Sequence, residues 1–315
     1  MTGCVAGGGY PGHVALSKRV IWMKRASFGH IGFPIYLLLP QLVIIAIFFY
    51  WPAAYAVQSS FFLQDPFGFG STFVGLDNYT RLPRSVTYSD AFFFTVVFTL
   101  FVTFFSLAIA LLLAVKADKV IRGAKTYRTL LMWVYAIAPP VAGLIGAMLF
   151  DQSRGNLTRL FADFGWEFTL GVDYRDTASA MIVVSIWKQI PVNFIFFLSG
   201  LQSIPQSVRE AAMIDNRSGI SRFWDITFPL LAPTAFFLLI INITYALFDT
   251  FGVIDTLVKG EPGNNPMTLV YRVFVDGFRG GDLGGSSAQS VVLMVLVLML
   301  TIVQFRFLER RIHYT

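Results

Sequence analysis

Five stretches of the chain contain no Asp, Glu, Lys or Arg: between Arg25 and Asp65, Asp90 and Lys116, Arg128 and Asp151, Asp225 and Asp249, and Asp282 and Arg306. A sixth, between Asp176 and Arg209, holds Lys188 alone. About 20 mostly apolar residues in a helix cross the hydrocarbon core of a bilayer, so each stretch holds one crossing. The spans expected are 32–55, 91–115, 128–150, 178–201, 229–254 and 287–307. Strands of a membrane barrel are about 9–11 residues long and alternate in polarity. The run Val291-Val-Leu-Met-Val-Leu-Val-Leu-Met-Leu300 does not alternate. A helix satisfies its own backbone groups in lipid. The fold expected is therefore an all-α integral membrane bundle of six transmembrane helices.

Composition excludes the soluble classes. The 315 residues are 56% hydrophobic and 13% charged, against about 25% charged in a typical soluble domain. An ordinary soluble enzyme and a disordered chain are both ruled out. The single cysteine, Cys4, has no partner for an internal disulfide, so a disulfide scaffold is ruled out too.

Fifteen Lys and Arg fall in the N-terminal segment, the 116–128 and 202–228 loops and the tail, against eight in the other three loops. Basic residues favour the cytoplasmic side, which predicts cytoplasmic termini. The net charge of +6 is thus a topology signal, and no nucleic-acid partner is implied. Residues 1–30 read as a cytoplasmic leader and 31–310 as the membrane domain. The first span is too long, and lacks a small-residue cleavage site, for a signal peptide.

Soluble-enzyme signatures are missing. The chain has no G-x-x-x-x-G-K-[ST] phosphate loop, no H-E-x-x-H and no G-x-S-x-G. Its His13, His30 and His313 lie near the termini, so no metal site is expected. Gly280-Gly-Asp-Leu-Gly-Gly-Ser286 reads as a flexible linker, glycine being loop punctuation.

The 202–228 loop is more informative. Ser203 is a candidate N-cap with Pro205 in the first turn, and Asp215-Asn216 can end that short helix, since Asn tolerates the left-handed conformation. Ser221 is a candidate cap for a second short turn, and Pro229 suits the start of the next span. A helix-turn-helix is expected, with Ala211 and Ala212 forming a small, smooth face and Glu210, Asp215, Arg217 and Arg222 around it. An amphipathic connector on the membrane surface is the plain alternative.

Glu210-Ala-Ala-x-x-Asp215, followed by Ile226-x-Phe-Pro229, resembles the EAA loop of permease subunits of binding-protein-dependent ABC importers. That pattern is Glu-Ala-Ala, three residues, Gly, nine residues, Ile, any residue, Leu-Pro. The spacing matches, with Asn216 at the Gly position and Phe228 at the Leu position. Asp65-Pro-Phe-Gly-Phe, Phe73-Val-Gly-Leu-Asp-Asn78, Trp187-Lys-Gln, Leu201-Gln-Ser-Ile-Pro205, Phe248-Asp-Thr-Phe-x-Val-Ile-Asp255 and Ser287-Ala-Gln-Ser-Val-Val-Leu-Met294 are similar to segments of the A permeases of sn-glycerol-3-phosphate importers. Gly260-Glu-Pro262 departs from the Gly-Gly-Pro of sugar permeases in this class.

The resemblance implies a type I importer permease fold in a bacterial inner membrane, and no catalysis by this chain. It implies a second homologous permease, two nucleotide-binding subunits that hold ATP and Mg and hydrolyse the ATP, and an extracytoplasmic substrate-binding protein. The cargo implied is sn-glycerol 3-phosphate and glycerophosphodiesters, with a sugar or oligosaccharide as the alternative. The ATPase-coupling residues implied are Glu210, Ala211, Ala212, Asp215, Asn216, Arg222, Ile226 and Pro229.

Inside the spans Lys188 stands out, because a charge at mid-membrane costs several kcal/mol unless it faces protein or water. Either it meets an anionic substrate, or it pairs with a carboxylate such as Asp249 or with helix-end carbonyls. Gln189, Asn193, Asn242, Tyr245 and Asp249 are the other candidates for the substrate pathway. Gln189 and Asn193 share a face, while Lys188 points elsewhere. Pro139-Pro140 and Pro191 are expected to kink their helices. The rival class is an ion-coupled secondary carrier, which commonly shows inverted repeats and intramembrane carboxylates. Here Asp249 alone lies in a span and no repeat is visible.

Overall fold

The computed structural model describes residues 32–65, 70–118, 124–214, 218–258 and 265–309. The 1–30 leader, residues Asp215 and Asn216, and Gly260-Glu-Pro262 lie outside the described residues. The chain forms two compact units, divided after Pro52. The described part of the first is α1 (Gly32–Ile45), a π-helical turn (Ala46–Tyr50) and the start of α2 (Trp51–Ser59). Ile35–Ser59 is apolar and long enough to cross a bilayer.

The second unit is almost entirely helical. Beyond α2 it opens with an antiparallel hairpin, β1 (Phe62–Gln64) and β2 (Ser71–Phe73), in the register Phe62↔Phe73. Then come α3 (Asp77–Arg81), α4 (Val86–Asp118), α5 (Ala124–Ala136), α6 (Pro139–Leu149) and α7 (Asn156–Asp163). They are followed by α8 (Tyr174–Ser203), α9 (Gln206–Ile214), α10 (Gly219–Arg222) and α11 (Phe228–Thr244), and last by α12 (Phe251–Val258), α13 (Leu269–Phe274) and α14 (Leu283–Glu309). By length and hydropathy, Val86–Asp118, Tyr174–Ser203, Gly219–Asp249 and Leu283–Arg306 can each cross a membrane. Thr129–Ala136 and Pro139–Leu149 make a pair bent by 102°.

The bend follows from local chemistry. A proline lacks the N–H that continues a helix and pushes the residue before it out of the α region. Ala138 accordingly takes φ −62° and ψ 144°, and Pro139-Pro140 open α6. Pro191 differs: α8 runs through it as one helix.

Lipid is as apolar as Leu, so helices in a membrane associate through close packing and hydrogen bonds, which small residues promote. Ala110, Ala114 and Ala117 on α4 meet Phe194, Phe197, Leu198 and Leu201 on α8 and Leu231 and Leu238 on α11. A second cluster joins Phe94, Phe98 and Val102 on α4 to Met181 and Val184 on α8, with Val253, Ile254 and Leu257 on α12 and Tyr271 on α13. Gly143 on α6 sits so close to α12 that a Cβ there would lie 1.8 Å from Thr256 Oγ1 and 2.7 Å from the Val253 carbonyl oxygen.

Two local expectations are corrected. The fifth long helix starts earlier than residue 229, at Gly219, and stops at Asp249. Phe251–Val258 is a separate helix after Thr250, held against α6 by the close glycine contact. Gly280–Ser286 is no linker: Gly281 has φ +71° at the turn, and Leu283 already begins α14. Asp282 caps that helix by accepting from the Gly285 N–H at 2.8 Å. Gly284 lies against the hairpin, where an added Cβ would be 2.2 Å from the Phe62 carbonyl oxygen. The hairpin itself had no recognised signal in the sequence. It is held by Asn78, whose Nδ2 donates to the carbonyls of Ser60 at 2.9 Å and Phe62 at 3.1 Å.

Candidate functional site

Two regions hold the residues singled out above: a polar layer within the long helices and the 202–229 segment between two of them.

In the polar layer, Asn193 on α8 and Asn242 on α11 face each other across 49 residues of sequence. Asn193 Nδ2 donates to Asn242 Oδ1 at 2.9 Å, and Asn242 Nδ2 donates back to Asn193 Oδ1 at 2.7 Å. Ser106 on α4 donates to Asn242 Oδ1 at 2.7 Å, and Asn242 Nδ2 also reaches the Leu238 carbonyl at 2.7 Å. All three residues are fully buried. The two Asn, expected among the pathway residues, form a clasp that joins three long helices, with each amide donating to the other. Tyr245 is also buried, with its hydroxyl donating to the Ser185 carbonyl at 3.2 Å, so it too holds helix to helix. Asp249 is exposed at the end of its helix.

Lys188 behaves differently. It sits near the middle of the 30-residue α8, is 8% exposed, and has the buried Gln189 beside it. Its Nζ lies 5.9 Å from the centre of the Tyr135 ring, a cation–π distance. Tyr135 stands just before the 102° bend. Among the described residues no carboxylate lies within ion-pair distance of Lys188, and the paired role expected for Asp249 is not formed; Asp249 acts on it electrostatically from farther off.

A separate network links α12, α13 and the turn after it. Tyr271 Oη donates to Asp255 Oδ1 at 3.1 Å, and Arg279 Nη2 donates to the same oxygen at 3.4 Å. Burial, reinforced by the Asp255 charge, pushes the Tyr271 phenol up to about 12. Arg272 pairs with Asp276 at 2.8 Å, and Gln289 on α14 donates to the same Asp276 oxygen at 2.7 Å.

The 202–229 segment departs from the expected helix-turn-helix. Ser203 closes α8, its hydroxyl donating to the Gly200 carbonyl, and it caps nothing. Pro205 precedes α9, and its carbonyl accepts from the Val208 and Arg209 N–H groups. The second cap is Ser218, whose Oγ accepts from the Ser221 N–H; Ser221 instead bonds Asp225. The helix that Ser218 caps begins at Gly219 and runs on into the fifth span, as one helical stretch to Asp249. Within that helix Arg222, Ile226 and Pro229 follow at i, i+4 and i+7 on one stripe; the first two are half-buried and the third is exposed.

Helix α9 has two different faces. Glu210, Ala211, Met213 and Ile214 are exposed, Ile214 by 82%. Gln206 donates to Glu210 at 2.7 Å and fixes its carboxylate along the helix. Ala212 is buried at 3% exposure, so it belongs to the inner face, and the expected two-alanine surface is reduced to Ala211. Arg209, three residues before Ala212, shares that inner face. Sequence reasoning passed over Arg209 because its partners lie on other helices: Asp118 at the end of α4, at 3.0 Å, and the Leu201 carbonyl at the end of α8.

Comparison with known proteins identifies the family and the fold. Residues 85–314 match the family model "Binding-protein-dependent transport system inner membrane component". The chain is 46% identical, over 93% of its length and 100% of the relative's, to the sn-glycerol-3-phosphate transport system permease protein UgpA of Brucella abortus. Its fold is similar to that in a crystal structure of a bacterial ABC transporter involved in import of the acidic polysaccharide alginate. There the TM-score is 0.78 and the identity 20%, over 90% of this chain and 96% of that one. A second structure, of a bacterial alginate ABC transporter in complex with an alginate pentasaccharide-bound periplasmic protein, matches at a TM-score of 0.75 and 19% identity, over 87% and 92%. The chain belongs to the binding-protein-dependent transport system inner membrane components and is a multi-pass permease subunit of a bacterial ABC importer, with the type I permease fold.

Proposed function

We propose that this chain forms one half of the translocation pathway for sn-glycerol 3-phosphate and glycerophosphodiesters, paired with a second, homologous permease. Two nucleotide-binding subunits hold ATP and Mg and do the hydrolysis; the permease itself makes and breaks no covalent bond. An extracytoplasmic binding protein delivers the cargo. Residues 1–30 form a cytoplasmic leader and 31–310 the membrane domain. Both termini are cytoplasmic, as the excess of Lys and Arg in one set of loops supports.

Energy enters as a population shift. ATP favours one arrangement of the helices, and the coupling is no larger than the difference in binding to the two arrangements. The exposed face of α9, with Glu210, Ala211, Met213 and Ile214, supports docking on an ATPase subunit. Arg222, Ile226 and Pro229 flank it, and Asp215 and Asn216 complete the proposed contact.

The observation that carries the choice of cargo is Lys188. A buried cation in a spanning helix is costly, and such groups mark pathways or find partners. With no carboxylate in ion-pair contact among the described residues, Lys188 is available to a phosphate ester passing through. The Brucella abortus relative, a permease of an sn-glycerol-3-phosphate transport system, supports the same cargo. The test is uptake by proteoliposomes carrying the complete transporter and its binding protein. We expect sn-glycerol 3-phosphate to be imported and to stimulate ATP hydrolysis, and Lys188→Met to lower that import at least tenfold. Stimulation by maltose and not by the phosphate ester would replace this cargo with a neutral sugar. Uptake driven by an ion gradient without ATP would replace the importer reading with a carrier.

A further inference from the structure

The inner face of α9 contains a contact that the docking of its outer face does not explain. Arg209 Nη1 donates to Asp118 Oδ2 at 3.0 Å, and its Nη2 donates to the Leu201 carbonyl. One planar guanidinium thereby touches three elements: α9, which carries it, the last residue of α4, and the last turn of α8. Those two long helices are packed together by Ala110, Ala114, Phe194 and Phe197.

Stability alone is a weak reason for this arrangement. The pair is 36% and 18% exposed on its two side chains, and partly solvated ion pairs contribute little, typically about 0–1 kcal/mol. Arg209 also adds a second donor to the Leu201 carbonyl in the last turn of α8, which already accepts from the Ile204 N–H at 3.3 Å. What the contact supplies is geometry. A guanidinium presents several donors in a rigid fork, whereas a lysine ammonium is a single point on a flexible stem. Ala212, three residues on from Arg209, is buried on the same face of α9.

We propose that Arg209 is a positioning residue that latches the ATPase-docking helix to the cytoplasmic ends of the second and fourth spans, so that a displacement of α9 moves both spans as a unit. This rests on the docking role proposed above for the outer face. Arg209 touches neither the ATPase nor the cargo. Its loss uncouples hydrolysis from transport and leaves assembly intact.

The experiment uses the whole transporter in proteoliposomes, with its binding protein and sn-glycerol 3-phosphate as probe, and reads two quantities: co-purification of the ATPase subunits, and molecules imported per ATP hydrolysed. Arg209→Ala and Asp118→Asn are expected to retain the ATPase subunits and to lower import per ATP at least fivefold. Arg209→Lys is expected to fall between wild type and Arg209→Ala, keeping the charge but losing one tie. The exchanged pair Arg209→Asp with Asp118→Arg is expected to recover at least half of the lost coupling that either single reversal removes. Unchanged import per ATP in Arg209→Ala would overturn the latch. So would loss of the ATPase subunits from Arg209→Ala and from the exchanged pair alike, because the contact would then serve assembly. A wild-type chain that never retains an ATPase subunit would instead overturn the docking reading, and the two failures are distinguished by that control.

Discussion

Lys188 lies five residues before Asn193, one half of the Asn193–Asn242 clasp, on α8, and all three are buried polar groups inside spanning segments. They differ in how their hydrogen-bonding capacity is used. The clasp closes on itself: each amide donates to the other, Ser106 adds a third donor, and Leu238 takes a remaining proton. Lys188 has an aromatic ring within cation–π range and no ion pair among the described residues. A polar group that is internally satisfied stabilises one arrangement of helices. A buried charge left unmatched within the chain is available to something that passes by. Polarity inside a membrane is therefore not by itself a mark of a pathway; the state of its partners decides.

The comparison can be broken most directly at Lys188. Lys188→Met is expected to reduce sn-glycerol 3-phosphate import at least tenfold, which corresponds to about 1.4 kcal/mol, while the melting temperature of the detergent-solubilised chain stays level or rises. Wild-type import by this variant would return Lys188 to the structural class.

On import, the next largest effect belongs to the clasp. Asn242→Leu leaves Asn193 and Ser106 without their shared partner, and an unsatisfied buried polar group costs about 1–3 kcal/mol. Thermal denaturation in detergent should show that loss, and import should fall only as far as the folded fraction does. Asn193→Leu with Asn242→Leu removes both amides together. It is expected to be less destabilised than the sum of the singles, because interhelical hydrogen bonds in membranes average only about 0.6 kcal/mol; strict additivity in this cycle would argue against the reciprocal pairing. The smallest change is expected for Ser106→Ala, at under about 1 kcal/mol, since Asn242 Oδ1 keeps its bond from Asn193.

Much of this molecule is legible locally. Charge-free stretches mark the apolar helices because a charge in hydrocarbon is costly wherever it falls, and that cost needs no knowledge of neighbours. Pro139-Pro140 announces a break for an equally local reason, a missing N–H and a restricted preceding residue. The spacing from Glu210 to Pro229 points to the importer class because it is a long pattern within one contiguous segment.

The errors arose where a residue's role depends on a partner far along the chain. Ala211 and Ala212 are indistinguishable in sequence, yet only Ala212 is buried, because α9 is tethered by Arg209 to Asp118, 91 residues away. Ser203 and Ser221 read as caps in the sequence, yet the cap is Ser218, because the helix continuous with the fifth span begins at Gly219.

The sequence by itself determined that the chain spans a membrane with helices, roughly where those helices lie, and to which family it belongs. These follow from hydropathy and contiguous spacing, both properties of single segments. Tertiary structure alone decided that Asn193 and Asn242 bond each other, that Lys188 has no carboxylate in contact among the described residues, and that Arg209 faces inward. Such outcomes follow from which side chains meet across helices, and hydrogen-bond satisfaction is a property of the meeting rather than of either residue.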